Sequence, residues 1–509
     1  MKQRLLIRAD GNSRIGTGHI MRCLSLAQGW RRCGGDVLFA SAEITPSLET
    51  RLAGDAFPVH RLTANPGTAD DAGQTIRLAT HPDWTKVDAE SGESNGLSQP
   101  SSIVVDGYHF DAAYQQAIKA GGLRLLIIDD FGQSKRFYAD FVLNQNLSAE
   151  EELYKSRESY TRLLLGTRYA LLREDFRPYY EWQREIAPIA RKVLVTLGGA
   201  DPDNATDKVI DALLGFDIAV KIVIGGSNPH LPKLRSKLST ADPQFDLLID
   251  VSNMADLMAW ADVAIAAGGT TAWELAFMGL PSLLLVLAEN QRAVAETLGA
   301  SGIAQATSHE TLRADLATLL NNSERRCVMS TRARQLVDGR GASRVAACLA
   351  TTEVTLRRVG LEDCRLIWEW ANDPAARSAS FSSAPIPWEM HRQWFTELLA
   401  SPTCLYYLAL DNQGRRIGQI RYSLSASEAV ISVSLAKEAR GQGYGTAIIM
   451  RGSEQCFADS EVGRIRAYIK LGNDTSARAF LNAGFADVGT AILAGHPTRE
   501  FLALRDSIS

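Results

Sequence analysis

Residues 12–30, NSRIGTGHIMRCLSLAQGW, set Gly16, Gly18 and His19 directly after the apolar run RLLIRAD. Ile20, Cys23, Leu24 and Ala27 then recur at helical spacing, so His19 falls in the first turn of a helix that follows a strand. An imidazole there can take a proton from water; as a plain helix-capping residue it does no chemistry. Two further stretches repeat a glycine turn before a helix. AAGGTTAWELAF (266–277) ends a strand at Gly268 and Gly269, opens a helix with Thr270 and Thr271, and puts Glu274 one turn in. Such a helix start can hold a diphosphate, and a carboxylate one turn on can accept both hydroxyls of a ribose or close a capping box with Thr271. ARGQGYGT (439–446) brings Arg440, Gly441, Gln442, Gly443, Tyr444, Gly445 and Thr446 between a strand and a helix. Glycines there let backbone amides approach an anion, although the same loop also serves as an ordinary strand-to-helix turn.

The elements that must position these residues fall into three series. DVLFAS, SSIVVDGYHF and LRLLIIDDFG continue the first strand with helix-length segments between them, the rhythm of a parallel sheet covered on both faces. The polar stretch 87–102, VDAESGESNGLSQPSS, is expected to be an exposed loop or insertion. A second series runs through KVLVTLGG, AVKIVIGG, FDLLIDV, DVAIAAGG and PSLLLVL. In it Gly198 and Gly199 form another paired turn, and Asp203 or Asn204 is the expected N-cap of the next helix rather than part of a metal site. From about residue 352 the pattern changes to a hairpin, YYLALDNQGRRIGQIRYSLS, then AVISVSLA and a helix. The expected architecture is α/β, with two Rossmann-like doubly wound domains (1–180 and 190–345) facing a cleft, followed by an α+β domain around an antiparallel sheet (352–505).

Bulk composition excludes several classes. The 509 residues carry a net charge of −4 with 22% charged and 46% hydrophobic residues, which favours neither a nucleic-acid-binding nor a disordered chain. No apolar run reaches the length of a membrane span, and MKQRLLIRAD is too soon charged for a secretory signal. Seven scattered cysteines without a C-x-x-C pair point to reduced thiols in a cytoplasm. The eight histidines show no ligand spacing, so no metal is expected.

The strand and loop VSLAKEARGQGYGTAIIM, followed by YIKLGNDTSARAFLNAGF, resembles the GNAT acetyltransferases over roughly the last 150 residues. The resemblance implies acetyl-CoA as co-substrate. It assigns the backbone of Val433 and Leu435 to the pantetheine arm, Arg440 to Thr446 to the pyrophosphate, and Asn473 to the amide region of the arm. Phe480 stands where many members carry a tyrosine that reprotonates the thiolate, so the acid is another group, such as Tyr468, or solvent. LIWEWANDP is similar to the entry of the branch that acetylates amino groups on nucleotide-linked sugars, with Ala371 in place of an arginine. Trp370 and His391 are candidate amino-sugar contacts on that ground; as aromatics at helical spacing, Trp368, Trp370, His391 and Trp394 also read as a core stripe.

RADGNSRIGTGHIMRCLSLA, VVDGYHF, LIIDDFG, DFVLNQN, LLLGTRYALLREDF, LGGADPDNAT and GGTTAWELAFMGLPSLLLVLAENQ resemble, in order, the hydrolases that remove UDP from UDP-2,4-diacetamido-2,4,6-trideoxy-β-L-altropyranose in pseudaminic acid biosynthesis. These are related to a two-Rossmann glycosyltransferase family. The resemblance covers about residues 1–340 and departs at Gly107, where the family often has histidine. It implies His19 as general base on the attacking water, without a metal and with inversion. It also implies UDP-sugar contacts from Gly16, Gly18, Arg22, Asp106, Tyr108, Gly198, Gly199, Gly268, Gly269, Thr270, Thr271, Glu274, Asn290 and Gln291. The expected chain is a bifunctional hydrolase and N-acetyltransferase whose partners are UDP-linked amino sugars and neighbouring enzymes of the route. A glycosyltransferase passing the sugar to another acceptor is the alternative, and a non-enzymatic nucleotide-sugar sensor a third.

Overall fold

The computed structural model describes residues 3–12, 15–81, 102–199, 201–226, 228–239, 244–287, 289–350, 354–411 and 413–505. The expected loop at 87–102 lies outside them except for Ser102, which begins a strand. The chain divides into two compact units, Met1–Ala346 and Ala347–Ser509.

The first unit holds two parallel sheets. One is built from β1 (Arg4–Ala9), β2 (Asp36–Ser41), β3 (Val59–Arg61), β4 (Ser102–Asp106), β5 (Arg124–Ile128), β6 (Phe141–Asn144) and β7 (Arg162–Leu165), in the order β3-β2-β1-β4-β5-β6-β7. The second contains β8 (Lys192–Thr196), β9 (Ala219–Ile224), β10 (Phe245–Ile249), β11 (Val263–Ala267), β12 (Ser282–Leu285) and β13 (Gln305–Thr307), in the order β10-β9-β8-β11-β12-β13. Both are doubly wound, with the strand order reversing beside β1 and beside β8, where the ends of such sheets form ligand crevices. Burial explains the apolar strand runs: every residue of β4 and β11 is buried, because helices cover both faces.

The second unit is a seven-stranded sheet of β14 (Thr355–Arg358), β15 (Cys404–Leu410), β16 (Arg416–Leu424), β17 (Glu428–Leu435), β18 (Arg464–Lys470), β19 (Ala486–Leu493) and β20 (His496–Leu504), ordered β14-β15-β16-β17-β18-β20-β19. The expected antiparallel sheet is corrected at one junction: β17 and β18 run parallel, joined by the crossover helix Tyr444–Ala458. Among the described residues no helix is long and apolar enough to cross a membrane.

Candidate functional site

The helix Gly18–Arg32 starts directly beyond β1. Gly16 takes φ +82°, a conformation open to glycine at little cost, and turns the chain into it. The N-cap Thr17 makes no side-chain cap, which leaves the first amides of the helix without an intrahelical partner. Thr17 also marks where the two sheets approach: a Cβ added to Gly199, beyond β8, would stand 2.8 Å from Thr17 Cγ2. The glycine turn of the second sheet is therefore pressed onto the start of the first helix, and Gly18 and His19 lie at that junction.

His19 is 8% exposed, and its Nδ1 lies 2.6 Å from Asp106 Oδ1. Asp106 ends β4, the strand next to β1, and is wholly buried. Arg22, one turn along the same helix, donates Nε to Asp106 Oδ2 (2.7 Å) and Nη2 to Oδ1 (2.7 Å), and passes Nη1 to Asp130 Oδ1 (2.8 Å). Burial alone would raise the Asp106 carboxyl, but Arg22 and His19 hold it well below the usual carboxylate range. Asp130 is held low in the same way, chiefly by Arg22 against the effect of burial. An ionised Asp106 accepts the Nδ1 proton of His19 and so leaves Nε2 as the ring's acceptor. Nε2 makes no hydrogen bond among the described residues. Tyr108 stands edge-on to the ring at 5.0 Å and anchors its hydroxyl on Asp130 Oδ2 (2.9 Å).

Arg22 and Asp106 are buried in an ion network that commits all three guanidinium nitrogens and orients His19. Tyr108, 42% exposed, does face outward. Asp130, in LIIDDFG, carries no signal in the sequence as a partner of Arg22, because two adjacent acids at a strand end have no spacing of their own.

On the second sheet, Gly268 is packed so closely that a Cβ would meet the Gln291 carbonyl oxygen at 2.9 Å, whereas Gly269 has open space around it. The fold thus brings Gly268, Gly269 and Gln291 together; Gln291 Oε1 accepts the Leu287 amide (3.1 Å), and the Asn290 side chain lies outside the described residues. Thr270 and Thr271 are half-buried at the start of the helix Thr271–Phe277, and the expected capping box does not form. Glu274 pairs instead with Arg173, Oε1 lying 3.0 Å from Nε and from Nη2. Burial raises the Glu274 carboxyl and Arg173 opposes it. At the next glycine turn, Asn204 is the N-cap residue of Ala205–Leu213 but its side chain does not cap. Asp201 does, accepting the amides of Ala205 (2.8 Å) and Thr206 (3.0 Å).

In the second unit the parallel pairing of β17 and β18 stops at Val430↔Arg466, so the strands part beyond it. Ala436 donates its amide to the Ile417 carbonyl, and antiparallel alternation then turns the backbone groups of Val433 and Leu435 away from β16, into that opening. Arg440 bonds the Leu435 carbonyl (3.2 Å) and Asp373 (2.6 Å). Gly441 and Gly443 are exposed at φ +74° and +83°, Gln442 and the half-buried Gly445 and Thr446 complete the loop, and the helix Tyr444–Ala458 begins without a side-chain cap. Tyr444 is buried in the core. Asn473 is spent as a cap, its Oδ1 accepting the Ser476 amide (3.2 Å). Phe480 is a core residue, edge-on to Phe485 and stacked on Phe501.

Residues 353–486 match the acetyltransferase (GNAT) domain model. The C-terminal unit is a GNAT domain. Within that domain, His391 is not a surface contact. It is 2% exposed, stacked on Phe395 at 5.6 Å, and burial lowers its pKa. Trp370 is half-buried, packed between the cores on the two sides of the sheet. His391 is thus placed in the core, whereas Trp370 is half-buried and Trp394, of the same stripe, is 39% exposed.

Residues 199–344 match the C-terminal domain of glycosyltransferase family 28. The chain is 22% identical over 443 residues to the uncharacterized protein MJ1062 of Methanocaldococcus jannaschii, covering 82% of this chain and 83% of that one. It is 32% identical over 222 residues to the spore coat polysaccharide biosynthesis protein SpsG of Bacillus subtilis (42% and 65%). It is 26% identical over 301 residues to the UDP-2,4-diacetamido-2,4,6-trideoxy-beta-L-altropyranose hydrolase of Campylobacter jejuni (59% and 97%).

Proposed function

We propose that the first unit hydrolyses a UDP-linked 2,4-diacetamido-2,4,6-trideoxy sugar to the free sugar and UDP, and that the GNAT domain makes the preceding acetamido group from acetyl-CoA and a UDP-linked 4-amino sugar. The observation that carries this reading is the His19–Asp106 pair, an oriented imidazole with Nε2 unspent where the two sheets meet. Nε2 takes a proton from a water as its oxygen attacks the anomeric carbon; the bond to the diphosphate oxygen breaks and its electron pair leaves with UDP. Attack opposite the leaving group inverts the anomeric centre. The uncapped helix start at Gly18, the turn at Gly198–Gly199 and the open Gly269 supply backbone amides for the diphosphate. Tyr108 is the exposed side chain beside the base, and Glu274 is placed for the ribose only if it exchanges Arg173 for hydroxyl donors.

In the GNAT domain, the opening between β17 and β18 supports binding of the pantetheine arm along Val433 and Leu435, and the Gly441–Gly443 loop supports binding of the pyrophosphate. The amine attacks the thioester carbonyl and the thiolate leaves. Phe480 has no proton to give, so Tyr468 or solvent supplies it.

The full chain with acetyl-CoA, the UDP-4-amino sugar and ¹⁸O-labelled water should release CoA before UDP, with label in the free sugar. UDP release that requires a second sugar or lipid acceptor would instead identify a glycosyltransferase.

A further inference from the structure

A second imidazole–carboxylate pair sits at the same strand ends and has no part in the reaction as written. Asp10 follows β1 and His109 follows the neighbouring β4. Asp10 is 1% exposed, and its Oδ1 is saturated by Arg8 (2.7 Å), the Ser41 hydroxyl (3.1 Å) and the amides of Ala42 (2.8 Å) and Glu43 (3.0 Å). Its Oδ2 receives none of these and lies 3.3 Å from His109 Nε2, within ion-pair distance but without an aligned hydrogen bond. Nε2 is sealed from solvent, yet the His109 side chain is 32% exposed. The ring is held by close neighbours: a Cβ on Gly107 would stand 2.9 Å from Cε1, one on Gly67 would stand 3.2 Å from Cδ2, and the Phe110 ring lies 4.0 Å away. Nδ1 makes no hydrogen bond among the described residues. Asp10 therefore faces one ring nitrogen while the other looks out, one residue along the chain from the Tyr108 that touches His19.

We propose that His109 is a sugar-specificity residue of the cleft, its Nε2 facing Asp10 and its Nδ1 accepting a hydrogen bond from the bound sugar, through an acetamido N–H or the 3-hydroxyl. The role rests on the hydrolase reading for the identity of the ligand. The chemistry selects this partner. A ring with its proton on Nε2, the nitrogen that faces the Asp10 carboxylate, offers a lone pair at Nδ1, and phosphate oxygens, being acceptors too, do not pair with it. A 2,4-diacetamido-2,4,6-trideoxy sugar joined through its anomeric oxygen has a 3-hydroxyl and two acetamido N–H groups left as donors. Gly107 belongs to the same device, because at φ +155° any larger residue would press on the His109 and Phe110 rings.

The test is calorimetric titration of the full chain carrying His19→Asn, so that the sugar nucleotide persists, with and without a second change at His109. His109→Phe should weaken the UDP-diacetamido sugar about tenfold while leaving free UDP unchanged, and His109→Asn, whose amide oxygen lies near the position of Nδ1, should stay within about threefold. Equal affinity of His109→Phe and its parent for the sugar nucleotide would overturn the role, as would an equal loss for free UDP. UDP release by the chain with native His19 is measured separately. Its failure would count against hydrolysis, whereas the binding comparison alone decides His109.

Discussion

Asp106 Oδ1 stands 2.6 Å from His19 Nδ1, with Arg22 bracing both carboxylate oxygens from behind. The arrangement fixes which ring nitrogen carries the proton. Asp106→Asn can present an amide N–H to Nδ1 and move the proton to Nε2, which then cannot accept one from water. Turnover should fall by about two orders of magnitude or more with UDP affinity intact, as steady-state kinetics beside calorimetry would show.

The same carboxylates govern acid stability. Asp106, Asp130 and Asp10 are all held below the ordinary value of about 3.9. Their contribution is fully present above about pH 4 and is lost as pH falls towards the lower folded values. Urea midpoints should therefore be nearly level from pH 7 to about pH 5 and drop steeply below about pH 4. Asp106→Asn should flatten that drop.

Arg173 and Glu274 join a segment after the first sheet to the helix start of the second. Both are largely buried, so Arg173→Ala strands a carboxyl that burial already pushes up. A loss of about 3 kcal/mol in urea unfolding is expected, partly restored by adding Glu274→Gln.

Gly443 is the left-handed N-cap of the helix Tyr444–Ala458, and a Cβ there would meet only the Ala350 carbonyl oxygen, in ordinary contact at 3.9 Å. Gly443→Val should cost about 1 kcal/mol or more through backbone strain alone and raise the KM for acetyl-CoA about tenfold. UDP release by the first unit should not change.

Much of this was legible in the chain. Strong apolar runs such as SIVVD and VAIAA became buried central strands, because two-sided burial leaves a continuous hydrophobic signature. The strands Val59–Arg61 and Gln305–Thr307 are silent in the sequence because three residues are too few to show a period. The place of His19 in a first helical turn, and the strand-to-helix turns at Gly268–Gly269 and Gly441–Gly443, were readable from local turn chemistry. The pairings of Asp106, Arg22 and Arg173 were not, since their partners lie 84 to 108 positions away and only the fold brings them together. The burial of His391 is illegible for the same reason: a histidine in an aromatic stripe has one spacing whether it faces a ligand or a core.

The most direct measurement is the rate of UDP release from the UDP-diacetamido sugar by His19→Asn, with UDP affinity measured on the same sample. A fall of about a hundredfold or more with unchanged UDP binding is the predicted result. Release at the native rate would contradict the assignment of His19 as the base.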